Sequence, residues 1–390
     1  MTTAQGFCPF DVGEEFRALR EHDPVSRLEL PSGTPVRFLT RHADARRVLA
    51  DERFGSVDAA PLLRPGGSAQ DIAPPAPGVL LFLDPPEHTR YRRMLAGEFT
   101  GRRMAALRPR ITALVDERLD AMAAATSAEL MRDFALPVPS LVICELLGVP
   151  YADRADFQRR TAAQVDMALP EDEAARLWAE STEYMSGLAA AKRAHPTDDL
   201  LGRLVAAHGS ELTDAEVAGL GTFLLGAGYE TTANMLGLGT LQLLRHPEQL
   251  AALRDGDEQA VDRAVEELLR NLAVVNNAAV RQARADVELS GTTIREGEFV
   301  LVSLGSASRD DAVFDDPDAV DLTRVPGAHL AFGHGVHHCL GAPLARLELR
   351  IALPALLRRF PGLRAALPPE EIEYLPRTLV HGVRRLPVEW

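Results

Sequence analysis

Cysteine is scarce in this chain: Cys8, Cys144 and Cys339 are the only three in 390 residues, and they lie far apart. An odd, dispersed set does not make a disulfide framework, so the sequence points to a reducing compartment. Long apolar runs are missing too. No stretch approaches the roughly 18 consecutive apolar residues that a membrane-spanning helix needs. The opening "MTTAQGFCPFDVGEEF" has neither the basic start nor the apolar core of an export signal. A cytoplasmic protein without membrane contact is expected. Positive charge is in deficit, with 42 Lys and Arg against 56 Asp and Glu and a net charge of −14. That balance opposes general attraction to nucleic acid or anionic lipid and leaves room only for a local basic face. Internal repeats and low-complexity linkers are absent as well.

What the chain has is apolar residues, 46% of the total, enough to bury a large core. Helical periodicity predicts amphipathic helices over 101–125, 152–165, 171–194 and 257–272. β-Branched runs near 24–39 and 299–303, and the hairpin-like "VELSGTTI" at 287–294, predict small sheets. Between 55 and 86 lies "GSVDAAPLLRPGGSAQDIAPPAPGVLLFLDPP", too long for an ordinary connection and so either a flexible linker or a binding loop, with the flanking helices favouring the binding loop. The expectation is one mainly α-helical domain with small β-sheets over 1–390.

The stretch "LTDAEVAGLGTFLLGAGYETTANMLGLGTLQLLRHP" predicts the longest helix. Thr213 and Glu216 make a capping box and Pro247 marks the far end, giving about 32 residues and about 48 Å. Between Glu216 and Arg245 the only charge is Glu230, so the helix is buried on nearly all sides. Gly226 and Gly228 remove bulk, and the Thr231 hydroxyl can compete for the Ala227 carbonyl four residues earlier. On one reading this opens the helix into a notch holding a carboxyl and a hydroxyl. On the other, the small residues serve close packing and Glu230 is simply hydrogen-bonded.

In "EELLRNL", Glu267 and Arg270 stand three apart on one helix face, where they can pair and, if buried, lock their surroundings. In "DPPEHTRYRRMLAGEF", His88 and Arg92 follow a double proline one turn apart, placed to grip an anion. In "AFGHGVHHCLGAPLARLELR", Cys339 follows His334, His337 and His338. A structural zinc site uses two spaced ligand pairs, whereas adjacent His338 and Cys339 diverge and no second pair exists. Glycines 333, 335 and 341 instead shape a tight loop that lets backbone approach a flat partner. Cys339 sits just before a helix predicted over 340–360, whose N–H groups and dipole favour thiolate. A lone thiolate on a glycine-rich loop, with cationic anchors for carboxylates elsewhere, fits heme iron ligation.

Together these residues resemble the cytochrome P450 monooxygenases. "FGHGVHHCLG" is similar to their heme-binding loop, "AGYETT" to their oxygen-activating helix motif and "ELLR" to their Glu-x-x-Arg pair, in the right order. The similarity spans nearly the whole chain and looks closest to soluble actinobacterial enzymes that tailor macrolides and other secondary metabolites. The resemblance implies the P450 fold, with heme b (iron protoporphyrin IX) held between the long central helix and the Cys-loop helix. It makes Cys339 the axial ligand of the metal and has His88, Arg92, Arg281 and His337 hold the propionates. Phe332 packs on the proximal side of the ring, and Ala227 and Gly341 are assigned to cofactor binding. Glu230 and Thr231 become the catalytic acid–alcohol pair that delivers protons during oxygen activation.

The implied reaction is hydroxylation or epoxidation of a lipophilic, macrolide- or polyketide-like metabolite by O2. Electrons come from NAD(P)H through a ferredoxin reductase and ferredoxin, because the chain carries no flavin or iron–sulfur motif. Arg103 and Arg346 are the docking cations, and the protein is a monomer. The alternative is a heme-thiolate enzyme of oxidative coupling or peroxide-driven oxidation of a peptide or aromatic natural product, against which the retained Glu230 and Thr231 argue.

Three departures from the family pattern stand out. "DPDAVDLTR" has Ala319 where many relatives carry Pro-x-Arg, leaving the third partner of the Glu267–Arg270 pair open, with Arg324 near. Ser308 stands where relatives usually have Asn. Pro354 removes a bond to the Arg350 carbonyl and is expected to kink the helix after the cysteine. By family position the pocket walls come from 62–81, 165–175, 226–230, 274–279 and 378–379, mostly apolar. In "AVVNNAAV", Asn276 and Asn277 point to opposite faces of an extended chain. Either both amides bond to backbone in a turn, or one reaches the pocket and orients the substrate.

Overall fold

Strand β1 (Val25–Glu29) and β2 (Pro35–Leu39) form an antiparallel hairpin that pairs Val25 with Leu39. Alternation then sends Val36 and Phe38 into one small core and Leu39 into another. β2 runs parallel to β8 (Phe299–Val302), which pairs with β5 (Ala279–Ala283), which pairs in turn with β3 (Phe54–Ser56). The sheet order is β1-β2-β8-β5-β3. The "VELSGTTI" segment is the expected hairpin, β6 (Val287–Leu289) with β7 (Thr292–Ile294). A further small sheet joins β4 (Ser127–Glu129), β10 (Pro387–Glu389) and β9 (Arg364–Ala365). This computed structural model describes residues 13–153, 156, 170–276, 279–375 and 380–390. The helix expected over 152–165 lies almost wholly outside them, as do Asn277 and the pocket positions 378–379.

In chain order the helices are α1 (Gly13–His22), α2 (His42–Ala50), α3 (Glu87–Ala96), α4 (Gly101–Met122), α5 (Pro137–Leu147), α6 (Glu171–Ala194), α7 (Leu200–His208), α8 (Asp214–Leu244), α9 (Pro247–Asp255), α10 (Glu258–Leu272), α11 (Leu304–Ala307) and α12 (Ala342–Arg359). The predicted capping box starts α8: Thr213 Oγ1 accepts the Glu216 N–H at 3.2 Å, and Glu216 Oε2 accepts the Thr213 N–H at 2.6 Å. α8 runs 31 residues, packs against α5, α6 and α12, and is buried along most of its length. The main hydrophobic core surrounds it. Among the described residues no helix is long and apolar enough to cross a membrane.

As expected, the Thr231 hydroxyl bonds the Ala227 carbonyl, at 2.9 Å, within α8, which is helical from Asp214 to Leu244. Gly228 serves packing: a Cβ on it would lie 3.0 Å from Ile143 Cδ1 of α5. α12 runs from Ala342 to Arg359 with Pro354 inside it, where the residue has no N–H to give to the Arg350 carbonyl.

Candidate functional site

The Cys loop owes its shape to two glycines in the left-handed region, Gly333 at φ 69° and Gly335 at φ 72°. Gly335 also abuts the end of α2, where a Cβ would fall 2.3 Å from the Leu49 carbonyl oxygen. The loop closes when the Cys339 N–H donates to the Phe332 carbonyl at 2.9 Å. Burial pushes the Cys339 thiol up, and the N–H groups of Gly341 and Ala342 together with the Arg92 charge pull it down without prevailing. The helix start thus favours thiolate in the expected direction and burial opposes it; a metal cation on the sulfur removes such a proton.

Beside the loop, α3 presents His88 and Arg92, and β5 presents Arg281. The His88 and His337 rings lie 4.3 Å apart between centroids. Burial first, and then the charges of Arg281, His88 and Arg92, bring His337 to about 3. Burial and then Arg92 lower His88. Burial also lowers the Arg92 and Arg281 guanidiniums, which remain cationic. Asp84 opposes this trend at His88 and Arg281, but its oxygens are already engaged by the Ser56 N–H at 3.0 and 3.2 Å and by Arg284. His337 Nε2 lies 2.9 Å from Ser56 Oγ. Both ring nitrogens of His88 are buried with no hydrogen-bond partner among the described residues. Two buried guanidiniums that depress two imidazoles, one of them with both ring nitrogens unpartnered, call for anionic oxygen, and a pair of carboxylates satisfies them.

In the middle of α8 the side-chain cover is interrupted. Ala227 is exposed and Thr231 half-buried, although Gly226, Tyr229 and Glu230 around them are buried. Glu230 is held from below by a residue that sequence reasoning passed over: Asn234 Nδ2 donates to the Glu230 carbonyl at 3.0 Å and approaches its Oε2 at 3.4 Å. Their spacing of four on one helix was the available signal.

The supporting pair is buried as expected. Arg270 donates to Glu267 through Nε at 2.7 Å and Nη2 at 2.8 Å, with both side chains almost inaccessible. Arg324 supplies the third charge, its Nε 3.2 Å from Glu267 Oε2 in an ion contact without hydrogen-bond alignment. The Ala319 position contributes its carbonyl, which accepts Arg270 Nη2 at 3.1 Å.

Two expected roles are not supported. Arg346 is no free docking cation: its guanidinium covers the Phe332 ring at 4.5 Å and donates to both Glu266 oxygens, at 2.6 and 2.8 Å. Arg103 stays more open, with Glu98 at 3.9 Å. Asn276 does not reach a pocket. Its Oδ1 accepts Ser303 Oγ at 3.0 Å and the Gly305 N–H at 2.8 Å, so the amide braces the chain after β8. Gly341 has an ordinary φ of −80°, and its contribution is its N–H toward Sγ. Among the described residues no group of three or more His, Cys, Asp or Glu is placed to hold a metal ion.

A flat dicarboxylate cofactor whose metal takes one sulfur is what this donor set fits, and heme is that group. Known proteins carry the same layout. Residues 13–363 match the family model described as Cytochrome P450. Cytochrome P450-SU2 of Streptomyces griseolus is 46% identical over 388 residues, covering 98% of this chain and 94% of that protein. Pentalenic acid synthase of Streptomyces avermitilis is 45% identical, covering 98% of this chain and 95% of that protein. The crystal structure of CYP105P1 in complex with filipin I matches with a TM-score of 0.93 and 39% identity, covering 98% of this chain and 96% of that one. The chain belongs to the cytochrome P450 family, whose cofactor is heme, and it is a cytochrome P450 monooxygenase.

Proposed function

We propose that this enzyme hydroxylates or epoxidises a lipophilic secondary metabolite, macrolide- or polyketide-like, as a single domain spanning 1–390. Ferredoxin supplies the electrons, reduced by an NAD(P)H-dependent reductase. Heme, when bound, supplies the activation of O2 and the oxidation of substrate. Cys339 gives the sulfur ligand, and Gly341 and Ala342 N–H groups steady its charge. Arg92 and Arg281 neutralise the two propionates while His88 and His337 hydrogen-bond them, and the convergence of the four beside Cys339 is the observation that carries this reading. Phe332 packs on the sulfur side, and Ala227 leaves room on the opposite side. The Thr231 hydroxyl, parked on the Ala227 carbonyl, is free to turn and donate a proton on the open side of α8. Glu230, fixed by Asn234, stands next to it in the chain as the group that replenishes the proton.

The substrate class draws support from two relatives, one named for pentalenic acid synthesis and one crystallised with filipin I. The test is stoichiometry in a reconstituted system with ferredoxin, reductase and a panel of such metabolites. One NADPH and one O2 consumed per product, with one oxygen-18 atom from labelled O2 in that product, is the expected result. Product formed without oxygen incorporation, or only with added peroxide, contradicts it.

A further inference from the structure

The open stretch of α8 at Ala227 and Thr231 has a neighbour nearer the helix N-terminus. Gly219 lies about 12 Å before Ala227 along the axis and about 80° around it, on the same side of the helix. There the loop 57–83 meets α8 backbone to backbone. A Cβ on Gly219 would fall 1.8 Å from the Pro77 carbonyl oxygen, and a Cβ on Gly78 would fall 2.5 Å from the Glu216 carbonyl oxygen and 2.6 Å from the Leu220 nitrogen. Gly78 also takes φ 79°, which disfavours any side chain. The loop enters the core at this contact: residues 73–77 are all exposed, whereas Gly78, Val79 and Leu80 are buried. Just beyond it Leu81 is 45% exposed, an apolar side chain left facing open space. The same turn of α8 grips α3, because Glu216 Oε1 accepts Arg90 Nη1 and the Tyr91 hydroxyl, each at 2.6 Å. One helical turn thus registers both the loop and the helix that carries His88 and Arg92.

We propose that Gly219 is a specificity-determining position. By admitting the Pro77 carbonyl against bare helix backbone, it sets how close residues 79–83 stand to the open face of α8, and so the size of molecule that the face accepts. The inference rests on the reading that this face borders the substrate site over heme. Adding one methyl at 219 pushes Pro77 outward and widens the site, while the Glu216 contacts keep α3 and its anchors in place.

The experiment uses the heme-loaded full chain and two nitrogen ligands read by the heme absorption shift, small imidazole and bulky clotrimazole. Gly219→Ala is compared with Gly239→Ala on the same helix, where an added Cβ meets nothing closer than 3.8 Å. In Gly219→Ala, clotrimazole should bind about tenfold tighter relative to imidazole, with an unchanged carbon monoxide spectrum and faster hydrogen exchange over 79–83. Gly239→Ala should keep the wild-type ratio. An unchanged or reversed ratio in Gly219→Ala overturns the proposal. Should that variant fold poorly, wild-type hydrogen exchange decides. Clotrimazole should protect 79–83 and 216–220 together, and protection of the loop alone overturns it. If neither azole shifts the heme band of the wild type, the heme-site reading itself has failed, and this inference with it.

Discussion

Arg270 Nη1 donates to the Ser308 carbonyl at 3.0 Å, while the Ser308 hydroxyl accepts the Leu330 N–H at 3.0 Å. One buried serine thereby ties the Glu267–Arg270 pair to the residue that leads into the Cys loop. Ser308→Ala leaves that N–H without an acceptor, at a cost of about 1–3 kcal/mol. The expected outcome is a lower melting temperature and faster heme release to apomyoglobin. Wild-type values for both would show that the hydroxyl carries no load.

Glu267 accepts Arg270 through both oxygens and also takes the Asp321 N–H at 3.0 Å. Glu267→Gln leaves the Arg270 charge buried without its counter-ion, at a cost of about 3–5 kcal/mol. Expression should yield little soluble, heme-loaded protein. Yield and heme content equal to wild type would contradict the assigned role.

Among the described residues Thr231 bonds within its own helix, and it is half-buried, so Thr231→Ala should not disturb folding. Heme content and ligand binding should persist while NADPH oxidation diverts to hydrogen peroxide, measured as peroxide formed per NADPH. Undiminished coupling to product would remove the proton-delivery role.

Burial pushes the Glu266 carboxyl up, but bonds from Arg346 and His329 outweigh it and hold the group at about 2, below its ordinary 4.5. A depressed carboxyl adds stability that is fully present above its unfolded value and is lost as pH falls through 4.5 toward 2. Glu266→Gln should be less stable than wild type at neutral pH, and the two should converge in acid. Denaturant titrations followed by circular dichroism across that window check the sign. Parallel curves would contradict it.

The parts of this molecule legible in its sequence are those set by near neighbours. The start of α8 was readable because Thr213 and Glu216 cap each other within one turn, and Glu267 with Arg270 because they share one helix face. Cys339 and the His88–Arg92 pair were readable as chemistry. What was not readable depends on distant chain. Asn276 is claimed by Ser303 and Gly305, and Arg346 by Glu266 eighty positions away. No local pattern announces such partners. The helix-start N–H groups favour thiolate as the sequence implied, while the opposing burial is a tertiary quantity that no local pattern announces. The Gly219 contact was hidden for the same reason, since its partner Pro77 comes from a loop far earlier in the chain.

The most direct test of sulfur ligation is the spectrum of the reduced protein under carbon monoxide. Wild type should show the strongly red-shifted Soret band of a thiolate-ligated heme, and Cys339→His should lose that band while still binding heme. An unshifted band in intact wild-type protein would contradict Cys339 as the ligand and, with it, the oxygenase account of the site.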